Sequence, residues 1–171
     1  MAQKHTDNAM FKGVSRIAVL IFASGFAAIA ATVASCTDSP YLIWHTLSTG
    51  ASMPPLWFAA LLWLGGYFLI GAAAGGVFSI QSRGAQCDVL RYRGGMFCVL
   101  SVTFGFMWYI LLFGKHAVFA SIIPLVFSLA FAVLCCASWI RLGKGMGVCS
   151  VIYSLWLFIL LLFHMALLVS V

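Results

Sequence analysis

The chain contains an uninterrupted apolar run, residues 54–76, reading P-P-L-W-F-A-A-L-L-W-L-G-G-Y-F-L-I-G-A-A-A-G-G, without one charged side chain. Its length suits a single crossing of a bilayer core, which takes roughly 20 apolar residues. Pro54 and Pro55 stand where a helix accepts proline, just before and within its first turn. Beyond them Ala60, Trp63, Tyr67 and Ile70 recur at helical spacing and share a face. Gly71 and Gly75 form a G-x-x-x-G, which lets another helix approach closely. Trp63 falls about 10 Å past the helix start at ~1.5 Å per residue, deeper than tryptophans that anchor among headgroups. The aromatic face reads either as lipid-facing or as the lining of a site inside a bundle.

Composition extends this to the whole chain. Of 171 residues, 64% are hydrophobic and 7% charged, more apolar surface than a soluble domain can hide. The net charge of +6 comes from bases scattered singly between apolar runs, a pattern of topology signals and not of nucleic-acid binding. No glycine-rich phosphate loop, H-E-x-x-H or carboxylate pair occurs, so no catalytic or metal-ligating residue is assigned. The six cysteines include no C-x-x-C; Cys135 and Cys136 are adjacent within an apolar run. Cys36 and Cys87 fall on opposite sides of the membrane, so neither a disulfide framework nor a zinc site is expected.

The expected architecture is all-α: an integral membrane protein with a five-helix transmembrane bundle. Residues 1–16 form a polar, basic tail. A single membrane domain covers 17–171, with spans at about 17–35, 56–78, 95–113, 117–140 and 148–170. The stretch Val33-Ala34-Ser35-Cys36 resembles a bacterial lipoprotein cleavage box. The run before it is long for a signal segment, and further spans follow, so it is read as a retained helix. Pro124 marks an expected kink in the fourth span.

Alternate loops lie on opposite sides. One side receives Lys4, Lys12, Arg16, Arg83, Arg91, Arg93, Arg141 and Lys144, and the other receives Lys115 alone. The positive-inside rule then puts the N-terminus in the cytoplasm and the C-terminus outside. That orientation stacks the aromatic residues in one layer. Trp63 and Tyr67 occupy the outer half of the second span, and Trp108 lies close to the outer end of the third. In the fifth, Tyr153, Trp156, Leu160 and His164 run up one stripe at i, i+3, i+7 and i+11. Trp44 and His45 sit in the outer loop above. A ligand site between helices is the reading this convergence supports. His164 within a span is expected to face the bundle, meeting either a ligand or a neighbouring helix. Trp57 and Trp139, near span ends, read as interfacial anchors.

These residues carry a family resemblance. The second span, with Pro54, Pro55, Trp57, Trp63, Tyr67, Gly71 and Ala73, resembles the second helix of the TspO/MBR family, the tryptophan-rich sensory proteins and translocator protein. Trp108 followed by Y-I-L-L-F-G is similar to the family's third helix, and Tyr153-x-x-Trp156 to its fifth. Trp44-His45 stands near the family's W-Y in the first loop. Two positions depart: His164 stands where the family has Asn, and Gly105 where it has another Asn.

The resemblance implies a membrane receptor or transporter-like protein that binds porphyrins or related planar hydrophobic ligands in a Trp-lined pocket. The implied ligand-binding residues are Trp44, His45, Ala60, Trp63, Tyr67, Gly105, Trp108, Tyr153, Trp156, Leu160 and His164. A haem-type tetrapyrrole would be ligand rather than required cofactor, with His164 or Lys115 meeting a propionate. The resemblance also implies a homodimer, for which the Gly71/Gly75 edge offers one of the possible close-contact surfaces, and the expected host is a bacterial cell membrane. It suggests light-dependent porphyrin breakdown in some members, but no acid, base or nucleophile marks this chain as an enzyme. Sterol binding is not expected, because the animal relatives' motif needs a late basic residue and none follows Lys144. The competing reading is a small structural or accessory subunit whose aromatic residues only pack helices together.

Overall fold

A computed structural model describes residues 2–35, 56–80 and 84–170. They form five helices and, among the described residues, no strand. The helices are α1 (Ala2–Ser35), α2 (Leu56–Phe78), α3 (Ala85–Tyr109), α4 (Val118–Trp139) and α5 (Lys144–Ser170), with a π-helical turn, Ile110–Gly114, extending α3. Four of them are long and apolar enough to cross a membrane: Leu61–Phe78, Ala85–Gly114, Val118–Trp139 and Lys144–Ala166 mark the segments. The apolar part of α1, Ala18–Ala34, is 17 residues long. The molecule is an all-α, five-helix membrane protein.

Helices outrun the apolar spans at several ends. α1 starts at Ala2, so most of the basic tail belongs to the first helix. α3 starts at Ala85, so Arg91 and Arg93 lie on a helix and not in a basic loop. Lysine, arginine and glutamine are good helix formers, and charge ends a membrane span without ending a helix. Arg91 uses its position to finish α2. Its guanidinium donates to the carbonyls of Phe78 (3.1 Å) and Ile80 (3.3 Å) and lies 5.3 Å over the Phe78 ring. A cation at carbonyls left open by a helix C-terminus is the favourable sign for the helix dipole.

The bundle is built on small residues. α1 packs on α2, α2 on α5, α5 on α4 and α4 on α3; α3 also meets α2. A Cβ at Gly71 would lie 2.6 Å from the Phe22 carbonyl, and one at Gly75 2.7 Å from the Ala18 carbonyl. The G-x-x-x-G edge is therefore filled by α1 of the same chain. Of the surfaces open to a second chain, this edge is removed, because backbone so close leaves no room for another helix.

Between α3 and α4 the joint is polar. Ser101 Oγ donates to the Ser128 carbonyl and Ser128 Oγ to the Ser101 carbonyl, each at 2.8 Å, with both side chains fully buried. Such bonds replace water that a membrane cannot supply. Trp139 is a correction to the sequence reading: it is fully buried, not interfacial. Its indole lies against Gly94, where any Cβ would collide with it. Proximity to a span end led to the interfacial reading, and the notch at Gly94 is what reverses it.

The α3–α4 connection is tight. Lys115 N–H donates to the Ile110 carbonyl (3.1 Å) and Ala117 N–H to Leu111 (2.9 Å), closing wide turns at the helix end. Between them His116 adopts φ 53°, the left-handed region usually given to glycine at this place. α4 continues through Pro124.

Candidate functional site: an aromatic layer between α2, α3 and α5

The sequence places Trp63 and Tyr67 one helical turn apart, and the fold turns both inward, 8% and 2% exposed. They meet α3 ring to ring. Trp63 stacks on Tyr109 with centroids 4.5 Å apart and planes at 27°. Tyr67 stacks on Phe106 at 4.8 Å and 26°. Trp63 and Tyr67 meet edge to face at 5.0 Å. Offset stacks and edge contacts are the arrangements aromatic quadrupoles favour.

Gly105 lets this happen. A Cβ there would lie 2.6 Å from the Tyr67 hydroxyl oxygen, so that hydroxyl fills the space of a side chain. Position 105 is thus a notch for a tyrosine.

α5 closes the layer from the third side. Tyr153 is buried, its ring centroid 6.2 Å from that of Tyr67. Its hydroxyl faces Ser101 and Ser128 but has no partner at bonding distance. Both serine protons are already committed to carbonyls. Trp156 is half-buried and leans on α2, where a Cβ at Gly66 would lie 2.7 Å from its Cδ1. Leu160 is partly buried against the core.

His164 is fully buried near the C-terminal end of the stripe, and both ring nitrogens are engaged. Trp108 Nε1 donates to Nδ1 across 3.4 Å. Nε2 lies 2.9 Å from the Val118 carbonyl and 3.3 Å from Ser121 Oγ. A carbonyl can only accept, so the partners assign the proton to Nε2 and leave Nδ1 as acceptor. His164 thereby ties α5 to α3 and α4. As placed, it is an interhelical clasp with no free nitrogen for a propionate or an iron.

Of the residues singled out from sequence, Trp63, Tyr67, Gly105, Trp108, Tyr153, Trp156, Leu160 and His164 converge on this region. Ala60 is on α2, but its side chain lies outside the described residues, as do Trp44 and His45 altogether. The sequence reading missed Phe106, Tyr109 and Phe113. Their i, i+3, i+7 spacing is the same signal that exposed Trp63 and Tyr67, and Tyr109 and Phe113 lie 4.7 Å apart. It also missed Ser121 and Ser128, two turns apart on one face of α4.

No metal cluster of three or more His, Cys, Asp or Glu exists among the described residues. What the layer offers chemically is flat apolar surface, edged by the hydroxyls of Tyr67 and Tyr153.

A search of curated proteins finds no match to the chain. The sequence profile of the TspO/MBR family matches residues 17–169, nearly the full length, and the chain belongs to the TspO/MBR family.

Proposed function

We propose that this protein binds a planar hydrophobic tetrapyrrole of the porphyrin type in the aromatic layer, and acts as a membrane receptor or transporter for it. Family membership supports a membrane sensory or transporter-like role. One observation carries the finer reading: rings from α2 and α3 interleave across a seam where the two backbones approach far less closely than α1 and α2 or α3 and α4 do. Side chains that turn about χ1 and χ2 can part at such a seam, and a flat macrocycle can take the place of one stacked ring against Trp63. Transfer of its apolar faces from water drives the binding.

The orientation that goes with this reading has the N-terminus in the cytoplasm, supported by the one-sided bases. A homodimer is part of the same expectation and would use a face other than the Gly71/Gly75 edge. The accessory-subunit reading has its own support, since each described ring of the layer already has a protein partner.

Titrating the detergent-solubilised protein with protoporphyrin, and following tryptophan quenching, separates the two. Saturation at a defined stoichiometry, absent from empty micelles, is expected. Quenching that rises linearly with porphyrin, as in empty micelles, favours the accessory role.

A further inference from the structure

We propose that Cys98 and Cys135 form a reversible disulfide that ties α3 to α4 beneath the aromatic layer, making the bundle responsive to oxidants. Three contacts fix the antiparallel register of these helices. Ser101 and Ser128 exchange hydrogen bonds at 2.8 Å, Phe97 stacks on Phe131 at 6.1 Å, and Gly94 receives the Trp139 indole. On α3, Cys98 lies between Gly94 and Ser101 on the buried stripe, at i+4 and i−3. On α4, Cys135 lies between Ser128 and Trp139, also on the buried stripe, at i+7 and i−4. The register therefore sets the two cysteines in one layer, on the facing buried stripes of α3 and α4. Both are free and buried, at 2% and 0% exposure.

The small residues around them make the approach possible. Glycine at 94 and the crossed serines bring the helices close, and a disulfide needs Cα atoms within about 4.4–6.8 Å. Cys136 cannot substitute for either partner. It follows Cys135 by about 100° around the helix, so it points away from α3, and it is only half-buried.

The surroundings also select the chemistry. Two thiolates around a monovalent soft metal would leave a net negative charge in an apolar interior, whereas a disulfide is neutral. A small uncharged peroxide suits the site as oxidant. It converts one thiol to a sulfenic acid and releases water; the facing thiol then attacks that sulfur, forms the S–S bond and releases a second water. One hydrogen peroxide is reduced, and two thiols are oxidised. A membrane-permeant dithiol reverses the reaction by exchange. At a site closed to bulk solvent, bond formation is expected over minutes to hours.

The test uses the full-length protein in lipid or detergent, treated with hydrogen peroxide, denatured and alkylated. Free thiols should fall from the chain's six to four, and peptide mapping should find one bridge, Cys98 to Cys135 within a single chain. Dithiothreitol should restore all six. Cys98→Ala and Cys135→Ala should each hold at five thiols with no bridge. If a variant fails to fold, the wild-type map decides alone. Six surviving thiols, a bridge between other cysteines or between chains, or over-oxidation at either position without a bridge would overturn the proposal.

Discussion

Gly105→Ala tests the packing of the layer at its tightest point. The added Cβ would sit 2.6 Å from the Tyr67 hydroxyl oxygen, 3.7 Å from its Cζ and 3.4 Å from Ser128 Oγ. The serine contact is close to ordinary; the hydroxyl contact is not. Tyr67 cannot easily retreat, because its ring is 2% exposed, stacked on Phe106 and braced edge-on by Trp63. Overpacking of this kind costs about 1–3 kcal/mol. Against it, alanine is a better helix residue than glycine by about 1 kcal/mol. The single substitution should therefore be neutral to destabilising by about 2 kcal/mol. Tyr67→Phe removes the colliding oxygen, so in that background Gly105→Ala should stabilise by up to ~1 kcal/mol. The coupling between the two sites should fall at about 1–3 kcal/mol. Reversible unfolding of the four proteins in mixed micelles measures it. Additivity within about 0.5 kcal/mol would show that the Tyr67 hydroxyl does not occupy the Gly105 notch.

Three further outcomes are expected. His164→Phe should cost about 1–2 kcal/mol, because Trp108 Nε1 loses its acceptor, while His164→Asn should recover part of that loss by accepting from Trp108; thermal unfolding of both variants checks the order. Trp139→Ala should cost about 3–5 kcal/mol, because it empties the pocket against Gly94, and a loss below ~1 kcal/mol would return Trp139 to the membrane interface. In a cysteine-free background, an impermeant thiol reagent added outside should label a cysteine placed at Ser48 but not one at Gln81; the reverse pattern would invert the orientation.

The apolar runs made the spans legible, because a bilayer sets both their length and their lack of charge. Helix ends were less legible: α1 begins at Ala2 and α3 at Ala85, because charged residues such as Lys12 and Arg91 do not end a helix. The face of Trp63 and Tyr67 was legible from periodicity within one helix. Which neighbour meets a face was not: Gly71 and Gly75 read as available, and α1 covers them. Trp139 was misjudged for the same reason, as its burial depends on a glycine 45 residues earlier in the chain. His164 could be read as facing the bundle, but its partners on α3 and α4 lie 56 and 43 residues away and carry no local signal. Tyr109 was legible, since Phe106, Tyr109 and Phe113 recur at i, i+3 and i+7 on one face of the helix.

The central claim is that a tetrapyrrole binds against Trp63 and Trp156, and affinity for protoporphyrin in Trp63→Leu and Trp156→Leu tests it most directly. Phe158→Leu is the fitting control, being 47% exposed on the lipid-facing side of α5; buried Trp139 would confound binding with folding. An aromatic contact is worth about 0.5–1.5 kcal/mol beyond its buried area, so each tryptophan variant should bind several-fold to roughly tenfold more weakly. Phe158→Leu should bind like the unaltered protein, with all three variants matched for thermal stability. Equal affinity across the three would contradict the account and leave the aromatic layer as packing alone.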